Sequence, residues 1–193
     1  MKFNKTLVSV AVALFVGMPM LASADTATGE FNVTIKITAT CAVDTGSGQA
    51  GKITSDTYTV GGADLDFGSH TSAETANVDA TGSAGATGGI QVTCTKGHAY
   101  NIGLTPSNNN TAGAGSMAAL QLGGITNTDT VAYQLYQDSA RGQVWGDDVG
   151  TNTVLASGTG AAQKYPVYGR VPGGELNKMA DRYADRVTVT VTY

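Results

Sequence analysis

From Phe31 onward the chain alternates apolar and polar side chains with a period of two. In GEFNVTIKITATC, residues 29–41, Phe31, Val33, Ile35, Ile37, Ala39 and Cys41 fall on one face, with Asn32, Thr34, Lys36, Thr38 and Thr40 on the other. A helix would scatter these residues around its axis, whereas an extended strand collects them on a single face. The same period recurs at Val92/Cys94, Tyr100/Ile102/Leu104, Val131/Tyr133/Leu135, Tyr165/Val167 and Val187/Val189/Val191/Tyr193. Between these runs lie turn-forming stretches such as ATGSAGATGG at 80–89 and PSNNNTAGAGS at 106–116, which offer a core few side chains and are expected as exposed loops. Short strands separated by such connections predict an all-β chain, folded as a two-sheet sandwich. Helical spacing occurs once: Leu176, Met179, Ala180 and Tyr183 in GGELNKMADRYADR, residues 173–186, predict a short helix. VTVTVTY, residues 187–193, is β-branched at nearly every position and is expected as a strand.

The first 24 residues have the three parts of a secretory signal: Lys2 and Lys5, the apolar LVSVAVALFV, and the small-residue site Ala22-Ser23-Ala24. Pro19 interrupts the apolar run, which falls short of the roughly 20 residues of a membrane span. Cleavage before Asp25 would leave 169 residues, suited to one domain, with nine basic against fifteen acidic residues. A formal charge of −6 argues against nucleic acid as a partner. In an exported chain, the two cysteines Cys41 and Cys94 are expected to form one disulfide, with two buried thiols as the alternative.

Little in the chain suggests catalysis. GSGQAG, residues 46–51, matches a nucleotide-binding glycine pattern, yet the strand-like KITSDTYTV that follows provides no helix N-terminus for a phosphate. His70 and His98 sit in turn contexts without neighbours at metal-ligand spacing. Asp64/Asp66 and Asp147/Asp148 lack the loop pattern of a calcium site and are expected as solvated acidic turns. No nucleophile elbow is present. Neither an enzyme, a cofactor nor a metal site is expected.

Two roles remain open for residues 29–41. The segment is either the first strand of the sandwich or a strand offered to the edge of another molecule, with main-chain hydrogen bonds giving affinity and side-chain pockets giving register. Periodicity alone does not separate them.

LDFGS at 65–69, IQVTC at 90–94, YQLYQDSARGQVWGDD at 133–148, YPVYGRVP at 165–172 and YADRVTVTVTY at 183–193 together resemble the spore coat protein U domain. More narrowly, they resemble the major subunits of Csu-type archaic chaperone-usher pili. One departure is visible: the family usually has glycine where Asp181 stands. The resemblance implies an incomplete immunoglobulin-like β-sandwich completed by donor-strand complementation, a mode of strand addition that other pilins use. It divides the chain into a signal peptide (1–24), a donor segment (25–38) and a pilin domain (39–193). Phe31, Val33, Ile35 and Ile37 would be the side chains donated to a neighbouring identical subunit. Val187, Val189, Val191 and Tyr193 would form the strand held by a periplasmic chaperone. An outer-membrane usher and tip subunits would be the other partners, and the product an extracellular pilus serving adhesion and biofilm formation. A spore-coat or other matrix protein shares the resemblance. A tip adhesin, by contrast, would need a second, ligand-binding domain.

Overall fold

A computed structural model describes residues 25–49, 51–82 and 88–193. The signal peptide expected at residues 1–24, with its cleavage site at Ala22–Ala24, lies outside the described residues, as do Ala50 of the glycine loop and residues 83–87 of the 80–89 stretch. The chain divides into two units, Met1–Lys36 and Ile37–Tyr193. Of the first, residues 25–36 are described. They form no strand and are exposed throughout.

The second unit is all-β. Its strands are β1 (Cys41–Asp44), β2 (Val78–Thr81), β3 (Ile90–Cys94), β4 (Ala99–Pro106), β5 (Ala114–Ala119), β6 (Thr130–Tyr136), β7 (Val154–Ser157), β8 (Ala162–Tyr165), β9 (Tyr168–Val171), β10 (Tyr183–Ala184) and β11 (Val187–Thr192). Every ladder between them is antiparallel. Hydrogen bonding orders them as β1-β3-β8, β10-β5-β6-β9-β2 and β11-β4-β7. The last two sheets are linked through Trp145–Gly146, where Leu104 N donates to the Gly146 carbonyl and Trp145 N to that of Leu135.

The alternating residues meet in one core. Val92 and Cys94 of β3, Tyr100, Ile102 and Leu104 of β4, and Val131, Tyr133 and Leu135 of β6 are buried together with Val167, Val171 and Trp145. Trp145 is the largest fully buried side chain, and its indole Nε1 donates to the Ile102 carbonyl at 2.9 Å, so its one polar atom is satisfied inside the core.

Three expectations need correction. Residues 173–186 form turns followed by β10, not a helix. Side chains from the 120–129 connection and from Asp181 take the backbone groups that a helix would pair internally: Met179 N donates to Asp129, and Asp181 accepts from its own neighbour Arg182 N. Tyr165 and Val167 do not share one strand, because Pro166 separates β8 from β9. A proline removes the ladder donor at that point. The polar run at 106–116 is a loop only as far as Gly113, since Ala114–Ser116 already belong to β5.

Candidate subunit-interaction site

The last sheet ends in an unguarded edge. Among the described residues β11 pairs only with β4, from Val187↔Pro106 to Thr192↔Asn101. Val187, Val189 and Val191 point inward and are half-buried against the core, while Thr188, Thr190 and Thr192 are exposed. Inward side chains of a covered strand are buried, as on β3 and β4, so half-burial on β11 means that its inner row is covered on one side only. The strand has six β-branched residues and no charge, proline or glycine. Natural edges are usually blunted by such interruptions. The other edges outside β1 are short: β2 carries Asp79 in a bidentate pair with Arg170 at 2.7 and 2.9 Å, β8 carries Lys164, β10 has two residues, and β7, the opposite edge of the same sheet as β11, has four uncharged residues.

β1 is the edge of its own sheet, pairing with β3 alone among the described residues. It approaches β11 without forming a ladder to it. Two edge strands from different sheets are therefore neighbours, and Val43 of β1 is 45% exposed.

β1 is anchored at its first residue. Cys41 and Cys94 are register partners and are joined by a disulfide with a Cα–Cα distance of 4.2 Å. Just before it, Thr95 N donates to the Thr40 carbonyl at 3.0 Å, and Thr40 N donates to Thr95 Oγ1 at 3.0 Å. Preceding residues have no strand partner. Phe31, Val33, Ile35 and Ile37 are 87%, 85%, 89% and 77% exposed. Four large exposed apolar side chains at alternate positions form a row that water solvates poorly.

The structure places the other sequence candidates apart from this edge or in supporting roles. Tyr193 lies beyond β11, is 56% exposed and meets the His98 ring edge-on at 6.1 Å. It is thus not part of the half-buried valine row. His70 closes a loop: its Nε2 lies 2.6 Å from the Phe67 carbonyl and its Nδ1 2.7 Å from Glu74 Oε2. The carbonyl and then the carboxylate favour the charged ring and raise its pKa. Asp64 is a backbone cap, accepting from Gly48 N and Gly61 N, and Asp147 accepts from Thr105. Among the described residues no three His, Cys, Asp or Glu side chains are grouped to hold a metal ion.

Sequence reasoning missed the Thr40–Thr95 anchor, whose only signal is a threonine next to each cysteine, and the role of Asp181. That carboxylate accepts from Gln121 N, Leu122 N, Arg182 N and Asn127 Nδ2.

Residues 27–190 match the Spore Coat Protein U domain, which accounts for almost all of the described chain. The chain belongs to the Spore Coat Protein U domain family. Protein U of Myxococcus xanthus is a relative 32% identical over 196 residues, covering 96% of this chain and 94% of that protein. Among solved structures, the chaperone-tip adhesion subunit pre-assembly complex CsuC-CsuE, from archaic chaperone-usher Csu pili of Acinetobacter baumannii, aligns with a TM-score of 0.42 and 16% identity. The alignment covers 81% of this chain and 40% of that chain, so this member of the Spore Coat Protein U domain family spans two fifths of its length.

Proposed function

We propose that this chain is the repeating structural subunit of an extracellular chaperone-usher pilus, polymerising by donating residues 25–38 to the open edge of the next subunit. The observation that carries this reading is the coexistence, in one chain, of an exposed row of four large apolar side chains and an uncharged, unpaired six-residue edge. Their dimensions agree. At about 3.3 Å per residue, Phe31 to Ile37 span roughly 20 Å, and β11 is of similar length. Burying the four side chains would contribute roughly 6–12 kcal/mol before the cost of ordering the segment.

On this reading residues 39–193 form an incomplete domain. A periplasmic chaperone covers β11 before assembly, through Val187, Val189 and Val191, and an outer-membrane usher catalyses the exchange for a neighbour's segment. Tip subunits would end the fibre. Family membership supports a structural rather than an enzymatic role.

The test is Ile35→Asp. A carboxylate forced into an apolar groove costs several kcal/mol, so the variant should fold and bind chaperone yet build no fibres by electron microscopy. Normal fibres would refute the donor role. The family's description as a Spore Coat Protein U domain favours a second reading, a coat or matrix protein. Chaperone and usher genes beside this one would separate the two.

A further inference from the structure

The inward row of β11 cannot by itself fix the register of an incoming strand. Val187, Val189 and Val191 are identical, so slips of two residues would leave much the same apolar contacts. A slip of one is excluded, because it would turn the apolar face outward. The outward face offers a further means of choosing among the even slips.

That face holds a polar dimple next to β11. It is a cavity of about 90 Å³ lined mainly by Asn101, Asp147, Thr153, Thr190 and Thr192. Thr190 stands opposite Gly103, and Thr192 opposite Asn101. The absence of a side chain at Gly103 makes the dimple possible, since a Cβ there would come within 2.9 Å of the Asp147 Cβ. Asp147 is held in place by Thr105 Oγ1, which donates to Oδ2 at 2.5 Å, and by its own N–H, which donates to the Thr111 carbonyl at 3.0 Å. Among the described residues that line the dimple, Asp147 alone carries a charge. With the Asn101 carbonyl and the threonine hydroxyls around it, the site is rich in acceptors for an ammonium group.

We infer that this dimple receives the ammonium of Lys36 from a neighbouring copy and so sets the register of the donated strand. The inference rests on the donor reading above. Lys36 is the only cation between residues 25 and 43, and it lies on the face opposite Phe31, Val33, Ile35 and Ile37. With the apolar row turned into the acceptor, Lys36 comes out on the face that carries Thr190. A strand laid on β11 is two strand spacings from β4, about 9.6 Å. An extended lysine and one hydrogen bond cover that span, with the methylenes lying across Thr190. Arg186, exposed and on the same outward row as Thr188 and Thr190, penalises a slip toward the start of β11 by like-charge repulsion. A slip the other way carries Lys36 past the dimple.

The experiment uses the full chain carrying Ile35→Asp, which cannot donate, and labelled peptides of residues 28–38. The native peptide should bind about tenfold more tightly than one carrying Lys36→Gln. Asp147→Asn keeps an acceptor for Thr105. In that background the native peptide should lose the same factor, and the two peptides should bind alike. An unchanged melting midpoint would show that Asp147→Asn folds normally. If the Lys36→Gln peptide binds the Asp147 chain within twofold of the native one, the register role is wrong while the donor reading stands. If the native peptide does not bind at all, the donor reading falls and this pairing with it.

Discussion

The Tyr133 hydroxyl donates to the Asp185 carboxylate at 2.7 Å, tying the centre of β6 to the two-residue link between β10 and β11. The edge proposed to take a partner strand thus starts from a fixed point in the core. Tyr133 itself lies over Gly115, its register partner on β5, where a Cβ would meet the ring at 2.0 Å. The backbone gap on β5 is therefore filled by the ring from β6.

Tyr133→Phe should lower stability by about 1.5–3 kcal/mol, the range for a hydrogen bond to a charged acceptor. Burial, and then the bond to Asp185, push the Tyr133 phenol well above its ordinary pKa. The unfolded chain ionises at the ordinary value, so this contribution is complete below about pH 10 and is lost as pH rises further. Urea titrations at pH 8 and above pH 10 should show the wild-type advantage over Tyr133→Phe shrinking in alkali.

Asn127 is 2% exposed and donates from Nδ2 to both Asp181 and the Tyr183 hydroxyl. Asn127→Ala strands buried groups and should cost about 1–3 kcal/mol by denaturant unfolding. Asp181 is exposed to a competing effect: burial raises its pKa, but the backbone bonds from Leu122 and Arg182, the Asn127 amide and the Gln121 N–H together lower it. Its stabilisation is present above the ordinary carboxylate pKa and lost as pH falls through the depressed value. Asp181→Gly should accordingly be destabilising at neutral pH and much less so in acid.

Cys41–Cys94 closes a loop with a sequence separation of 53 residues. The double variant Cys41→Ser, Cys94→Ser should lose about 4 kcal/mol on chain-entropy grounds. Thr95→Val, which removes the hydroxyl that accepts from Thr40 N, should add about 0.5–1.5 kcal/mol to that loss. Thermal melts of the three proteins check both values.

The strands of the core were legible because burial on one face enforces period two: Val92, Ile102, Leu104 and Leu135 are all 1% exposed or less. Where other forces act, the pattern misleads. Leu176, Met179 and Tyr183 have helical spacing, but Asp129 and Asp181 claim the local backbone donors, and no apolar period reports a side-chain hydrogen bond. The proposed donor segment and the open edge show the opposite limit. Phe31–Ile37 and Val187–Val191 have the same alternation as a buried strand, yet the first row is exposed and the second half-covered. Alternation signals a face that needs burial without saying which molecule buries it.

That ambiguity can be resolved within one polypeptide. If residues 28–38 complete the fold of a neighbour, moving TGEFNVTIKIT to a flexible linker after Tyr193 and deleting the native copy should let each chain complete itself. The linked strand acts at an effective concentration in the millimolar range, above that of any free subunit, and it covers the edge that would otherwise recruit partners. The permuted protein should run as a monomer without chaperone on size-exclusion chromatography. It should also melt in one cooperative step, well above a chain that merely lacks residues 25–38. If instead 29–41 served only as the first strand of its own domain, the moved copy would find no open edge, and the vacated site would destabilise the fold. Equal or lower stability of the permuted chain relative to the truncated one would therefore remove the basis for donor-strand assembly, whereas a stable monomer would support it.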